Sequence, residues 1–275
     1  MEAYLAGTLG ASMEKGYLVV MPDYLGFGES NIMLHPYQHK ASLASASLDM
    51  LRAAKEFAAK QELPLRKGIY LSGYSEGGYA SMALHQEIEA AAAQEFTVLA
   101  NLPGAGAYDM VSTAQWVVSQ DRNLPHLAST FYTWVLLTYN QMYGINMPLT
   151  EMLTPENAQK VATAIAEGNP LKANLSLNPK ELFTSKFIQG ITEETNTAFI
   201  QALRQNDVYD WAPKAPITLF HAPGDDIVPA LNSQIAVEAL KSNGGIVNFV
   251  PLGNTSTTHR EGVQNYIAFV LSMLR

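Results

Sequence analysis

The chain of 275 residues carries a formal charge of −8, with 48% apolar residues, 15% charged residues and no cysteine. An acidic chain without a basic stripe excludes a polyanionic partner such as nucleic acid, and the lack of cysteine excludes disulfides, thiolate nucleophiles and Cys-ligated zinc. No apolar run reaches the roughly 18 residues of a membrane span, the longest cluster being FYTWVLLTY at Phe131–Tyr139.

In chain order, the N-terminal MEAYLAGTLGASMEKG lacks the basic and apolar regions of a signal peptide and reads as a helix already in progress. Short apolar runs then alternate with longer helical patterns, the signature of a parallel sheet covered by helices. The predicted strands are Tyr17–Met21, Gly68–Ser72, Thr97–Leu102, Ile217–His221 and Ile246–Val250. Helices are predicted at Gln38–Gln61, Glu76–Ala92, Asn232–Ser242 and Gly262–Leu274. Between Leu102 and Ile217 four helical patterns follow one another with no strand signal between them. No internal repeat or low-complexity stretch is evident. The expected division is an α/β core at 1–104 and 213–275 with a helical insertion at 105–212. Both ends of the insertion fall beside chemical motifs, so it is expected to act as a cap over the site.

The first motif is Gly73-x-Ser75-x-Gly77, between a strand and a helix. That context is the nucleophile elbow, a turn so tight that small residues must flank the serine while its hydroxyl is thrust above the sheet. A serine hydroxyl needs a base, and the base needs an orienting acid. In this arrangement the order is serine, acid, histidine. Asp225 and Asp226 follow the late strand ITLFH, and His259 stands in a polar loop ahead of the last helix. Asp225 has the D-x-x-V-P spacing and is preferred as the acid, with Asp226 as the alternative. His35 and His39 are four apart but lack an evident third ligand, so no metal site is expected. His85, His126 and His221 are read as structural, with His221 near enough to the acid to touch the site indirectly.

The segments GYLVVMPDYLGFGES (Gly16–Ser30), HPYQHKASLASASLDMLRAA (His35–Ala54), SGYSEGG (Ser72–Gly78) and LRQNDVYDWAPKAPITLFHAPGDDIVP (Leu203–Pro229) resemble the secretory-lipase branch of the α/β-hydrolases. The resemblance implies ester hydrolysis through an acyl-enzyme, with Ser75, His259 and Asp225 as the triad and a helical cap shaping the acyl pocket. It implies oxyanion donors in the backbone N–H groups of Glu76 and Asp23, with Tyr24 and Tyr74 as substrate contacts. No cofactor is required, and the partner is a small-molecule ester or lipid. A secreted or periplasmic location is implied, although this chain shows no signal peptide. A peptidase, an acyltransferase or an inactive hydrolase-fold protein are the alternatives. The family sheet has eight strands in the order 1-2-4-3-5-6-7-8, and the candidates here match strands four to eight. Either the chain is truncated at its N-terminus, or Tyr17–Met21 pairs directly with Gly68–Ser72.

Overall fold

The computed structural model describes residues 12–273, so most of the helix expected at the start of the chain lies outside the described residues. One parallel sheet runs β1 (Gly68–Tyr74), β2 (Thr97–Gly104), β3 (Ile217–His221) and β4 (Val247–Pro251), each beside the next in sequence order. β3 is buried at every residue, as a central parallel strand covered on both faces should be. β1 forms an edge of the sheet among the described residues, and its Tyr70 is exposed.

The strand predicted at Tyr17–Met21 is not formed. The segment has no ladder to β1, and the rearranged pairing with Gly68–Ser72 is absent from the described residues. Its apolar alternation lacks a second layer to face, since Leu18, Val19 and Met21 are exposed. A strand needs a partner for its backbone groups, and here the Tyr17 ring meets β1 edge-on, 5.9 Å from Tyr70.

Two compact units divide the chain: residues up to Leu34, Lys40–Tyr108 and Val208 onward form one, and His35–His39 with Asp109–Asp207 the other. The sheet unit contains α1 (Lys40–Lys60) and α2 (Glu76–Glu87). The first is an Ala/Leu-rich stretch with no Gly or Pro, so nothing interrupts its hydrogen bonding. α2 packs against α1, β1 and β2, and it buries every residue from Gly78 to His85. It runs into a π turn at Ile88–Ala92. There Glu89 accepts from the backbone N–H groups of Lys214 and Ala215 at 2.9 and 3.0 Å, and meets His85 Nε2 at 3.0 Å. One carboxylate thus ties the end of α2 to the chain entering β3.

The helical unit holds α3 (Met110–Ser119), α4 (His126–Met142), α5 (Pro155–Ala166), α6 (Ser185–Thr192) and α7 (Thr197–Gln205). Its ends are closed on each other, with Met110 N–H donating to Asp207 Oδ1 at 2.8 Å. The sheet unit makes a matching closure, Val208 N–H to Tyr108 O at 2.9 Å. His35–His39 joins the helical unit because Trp134 Nε1 donates to His35 O and Tyr139 Oη to Gln38 O, both at 2.7 Å. Tyr37 stacks on Trp134 at 4.8 Å.

An internal repeat, unseen in the sequence, lies in this unit. Glu151-Met152-Leu153-Thr154 and Glu181-Leu182-Phe183-Thr184 each make one helical turn, a strand-like residue and a threonine N-cap. Leu153 and Phe183 form an antiparallel bridge. Thr154 N–H donates to Leu182 O and Thr184 N–H to Met152 O, both at 3.0 Å. The hydroxyls reciprocate, Thr154 Oγ1 to Glu181 O at 2.8 Å and Thr184 Oγ1 to Glu151 O at 2.7 Å. The pattern is a local two-fold built from two copies of E-[ML]-[LF]-T.

In the sheet unit, α8 (Ala230–Ser242) and α9 (His259–Met273) complete the cover. Tyr266 of α9 places its hydroxyl between the first two strands: Gly73 N–H donates to it at 2.8 Å, and it donates to Leu102 O at 2.6 Å. The phenol is thus inserted between an N–H of β1 and a carbonyl of β2, beside the register pair Gly73 and Pro103.

Tyr266→Phe leaves a buried N–H and a buried carbonyl unmatched and is expected to cost about 1–3 kcal/mol, read by urea unfolding. An unchanged midpoint would remove the phenol from the account of the ladder. In the helical unit, Thr154→Val and Thr184→Val are each expected to cost about 1 kcal/mol. Because the two share one motif, a double-mutant cycle should return an interaction energy of at least about 0.5 kcal/mol; strict additivity would show the two-fold to be incidental.

Candidate active site

Ser75 joins β1 to α2 with φ 59° and ψ −123°, a conformation that side-chain-bearing residues rarely adopt. Its neighbours explain how the turn persists. A Cβ on Gly73 would meet Gly77 O at 2.1 Å, and one on Gly78 would meet Gly104 O at 2.3 Å. Only bare backbone lets strand, helix and adjoining strand come this close. Ser75 N–H donates to Gly104 O at 2.8 Å, and Tyr79 N–H donates to Ser75 O at 3.1 Å, which locks the turn on both sides.

His259 is the first residue of α9 rather than a loop residue ahead of it. Thr258 and Glu261 form the reason, a capping box. Thr258 N–H and Oγ1 donate to Glu261 Oε2 at 2.9 and 3.0 Å, and Glu261 N–H faces Thr258 Oγ1 at 3.4 Å. The T-x-x-E spacing was available in the sequence as a helix-start signal. The histidine backbone is thereby fixed, and its imidazole Nδ1 lies 2.6 Å from Asp225 Oδ2. Both residues are buried.

The two aspartates separate in their contacts. Asp225 Oδ1 accepts from the N–H groups of Ile227 and Val228 at 3.0 and 2.8 Å, while Oδ2 faces His259. Asp226 Oδ1 accepts the backbone N–H of His259 at 3.2 Å. Burial alone would raise the Asp225 carboxyl, but hydrogen bonds from His221 and His259 hold it well below the usual carboxylate range. His221 is therefore in direct contact with the acid, Nε2 to Oδ2 at 3.2 Å, where the sequence favoured a structural role. No sequence rule marks a histidine four residues before an aspartate as its neighbour, because the turn between them decides it.

Tyr74 and Tyr24, both expected to contact substrate, sit differently. The Tyr74 hydroxyl donates to His259 O at 2.7 Å and its ring lies 5.1 Å from the imidazole. It supports the histidine from the residue next to Ser75, so elbow and imidazole are neighbours. Burial, then the charge of Asp225, keeps this phenol protonated far above its ordinary range. Tyr24 has φ 66° and occupies the turn after Asp23. Burial, helped by the Glu76 carboxylate, pushes its hydroxyl up to about 12. Glu76 opens α2, at the positive end of the helix dipole. Asp23 is exposed, with its carboxylate packed over Gly28.

The aromatic segment of α4 supplies Trp134 and Tyr139 to the interior of the helical unit. His35 is edge-on to Trp134 at 5.6 Å. Among the described residues no group of three or more His, Asp or Glu side chains could hold a metal ion, and no helix is long and apolar enough to cross a membrane.

With this geometry in hand, comparisons with known proteins fall on one family. The model of the secretory lipase family matches residues 6–263. A crystal structure from Legionella pneumophila, of a protein designated a hydrolase, is 27% identical with a TM-score of 0.84, covering 97% of this chain and 71% of that one. The rice cell wall degrading esterase LipA from Xanthomonas oryzae is 28% identical with a TM-score of 0.75, covering 92% of this chain and 67% of that one. Candida antarctica lipase A shares the fold, at 20% identity and a TM-score of 0.61, over 82% of this chain and 51% of its own. A search of curated proteins found no match. The chain belongs to the secretory lipase family, carboxylic ester hydrolases of the α/β-hydrolase fold.

Proposed function

We propose that this chain hydrolyses carboxylic esters through an acyl-enzyme on Ser75. The observation that carries the reading is the buried 2.6 Å contact between His259 Nδ1 and Asp225 Oδ2. It is made beside an elbow whose serine has a strained backbone. Asp225 holds the Nδ1–H tautomer, which leaves Nε2 as the basic nitrogen. His259 removes the Ser75 proton as the hydroxyl oxygen attacks the ester carbonyl. The oxyanion is held by the backbone N–H groups of Glu76 and Asp23. His259 then returns the proton to the departing alcohol. In the second half it deprotonates a water that attacks the acyl group, and Ser75 regains its proton as the acid leaves.

The substrate is a small-molecule ester or lipid, and the name of the family points to a secreted or periplasmic setting. Tyr24, a phenol held protonated by burial and by the Glu76 carboxylate, is a substrate contact in this reading.

A fluorophosphonate probe is expected to label the protein, and Ser75→Ala should abolish labelling and lower kcat by about 10⁴–10⁶-fold. Absence of labelling on well-folded protein would sink the reading. A panel of p-nitrophenyl esters of rising chain length separates esterase from lipase, and anilide or alcohol-acceptor analogues report peptidase or acyltransferase action. The acid has its own signature in stability. Because folding lowers the Asp225 pKa, its contribution is present above the unfolded value near pH 4. It is lost as pH falls below that value toward the folded pKa. Urea midpoints should therefore fall more steeply between about pH 5 and pH 3 in the native chain than in Asp225→Asn. Parallel curves would contradict the assignment.

A further inference from the structure

The geometry points to His221 and Ser233 as a positioning pair for the triad acid, one that lowers the pH at which His259 becomes available as a base. This rests on the triad reading above. His221 ends β3 and Ser233 stands in the first turn of α8, and both have 0% exposure. His221 Nε2 lies 3.0 Å from Val228 O and 3.2 Å from Asp225 Oδ2, and Nδ1 lies 2.6 Å from Ser233 Oγ. A carbonyl can only accept, which assigns the imidazole proton to Nε2. Nδ1 is then an acceptor, and the Ser233 hydroxyl donates to it. That hydroxyl reinforces the tautomer that Val228 O and the Asp225 carboxylate already favour, against the one that would turn a lone pair toward both.

The set Ser233–His221–Asp225 has the composition of a catalytic triad, yet its serine is sealed from solvent and cannot meet an ester. Its consequence falls on the carboxylate. Oδ1 takes two backbone N–H groups, and Oδ2 takes the His259 ring at 2.6 Å and, at 3.2 Å, a share of the Nε2–H that His221 gives to Val228 O. Three hydrogen bonds and this shared one hold the carboxylate in one orientation. The second donor on Oδ2 also draws charge from the oxygen that would stabilise an imidazolium at His259. A less charged partner means a less basic His259, neutral and ready to accept a proton at lower pH.

Other groups around His259 set the baseline. Asp226 accepts from its backbone N–H, and Tyr74 donates to its carbonyl. Glu261 is engaged with Thr258, and Arg260 is the exposed neighbour in sequence. Facing His221, the titratable group is Asp225 and the polar one Ser233.

The test is the pH dependence of kcat/KM on a short p-nitrophenyl ester for His221→Phe, His221→Gln and Ser233→Ala. Low-field proton NMR of the His259 Nδ1–H accompanies it. His221→Phe should move the acid limb up by roughly half to one pH unit, an approximately 3–10-fold loss well below the midpoint, with the alkaline plateau changed less. The Nδ1–H resonance should shift with it. Ser233→Ala should move both in the same direction by less, and His221→Gln, which keeps an N–H donor, should recover part of the shift. If His221→Phe does not fold, the other two variants carry the same comparison. An acid limb and resonance unmoved in the folded variants would overturn the pair's role. Ser75→Ala and Asp225→Asn run alongside: activity surviving in these sinks the triad itself, whereas their inactivity with an unmoved limb sinks the positioning pair alone.

Discussion

The turn at Ser75 is the constraint on which the rest of the sheet unit depends. A positive φ at a serine stores strain of the order of 1–3 kcal/mol, and it persists only where the surroundings over-determine it. They do so here through approach distances that admit no side chain at Gly73 and Gly78. A hydrogen bond from Ser75 N–H to the end of β2 completes the constraint. The position of α2 follows from this turn, and α2 buries nearly its whole surface. The core between α2, α1 and β2, with Leu48, Leu71, Leu84 and Val98, is thus organised by the same local geometry that presents the hydroxyl.

Around that turn the polar groups are held in a chain of contacts rather than one by one. Tyr74 reaches the His259 backbone, Asp226 reaches the same residue from the other side, and the capping box fixes the start of α9. Further along α9, Tyr266 bridges β1 and β2. One helix therefore delivers the imidazole at its first residue and joins the elbow strand to its neighbour two turns later. Asp225 is saturated by donors, and such a carboxylate is both ionised and immobile, which an acid that only orients a base requires.

Much of this was legible in the sequence because it is local. The elbow glycines, the order of serine, aspartate and histidine, and the apolar runs of β2 and β3 each declare themselves within a few residues. What escaped was non-local. Tyr17–Met21 has a strand's composition, but a strand is made by its partner, and none is paired with it in the described residues. His221 meets Asp225 because of how the Ala222–Asp225 turn folds, and Glu89 reaches Lys214 and Ala215 across more than a hundred residues of chain. The paired E-[ML]-[LF]-T motif is too short to stand above chance until hydrogen bonds show its two copies closing on one another. Tyr74 illustrates a subtler limit: its place beside the serine does not reveal that its hydroxyl reaches the histidine backbone.

The local two-fold of the helical unit has a dynamic consequence. Each threonine stands at the N-cap position of its own helix while its hydroxyl and amide hydrogen-bond to the other copy, so neither half has its backbone groups satisfied alone. Fraying that begins at α5 removes the partner of the turn before α6, and the reverse holds equally. Hydrogen exchange across 149–192 is then governed by one shared opening, a single foldon rather than a series of independently breathing helices.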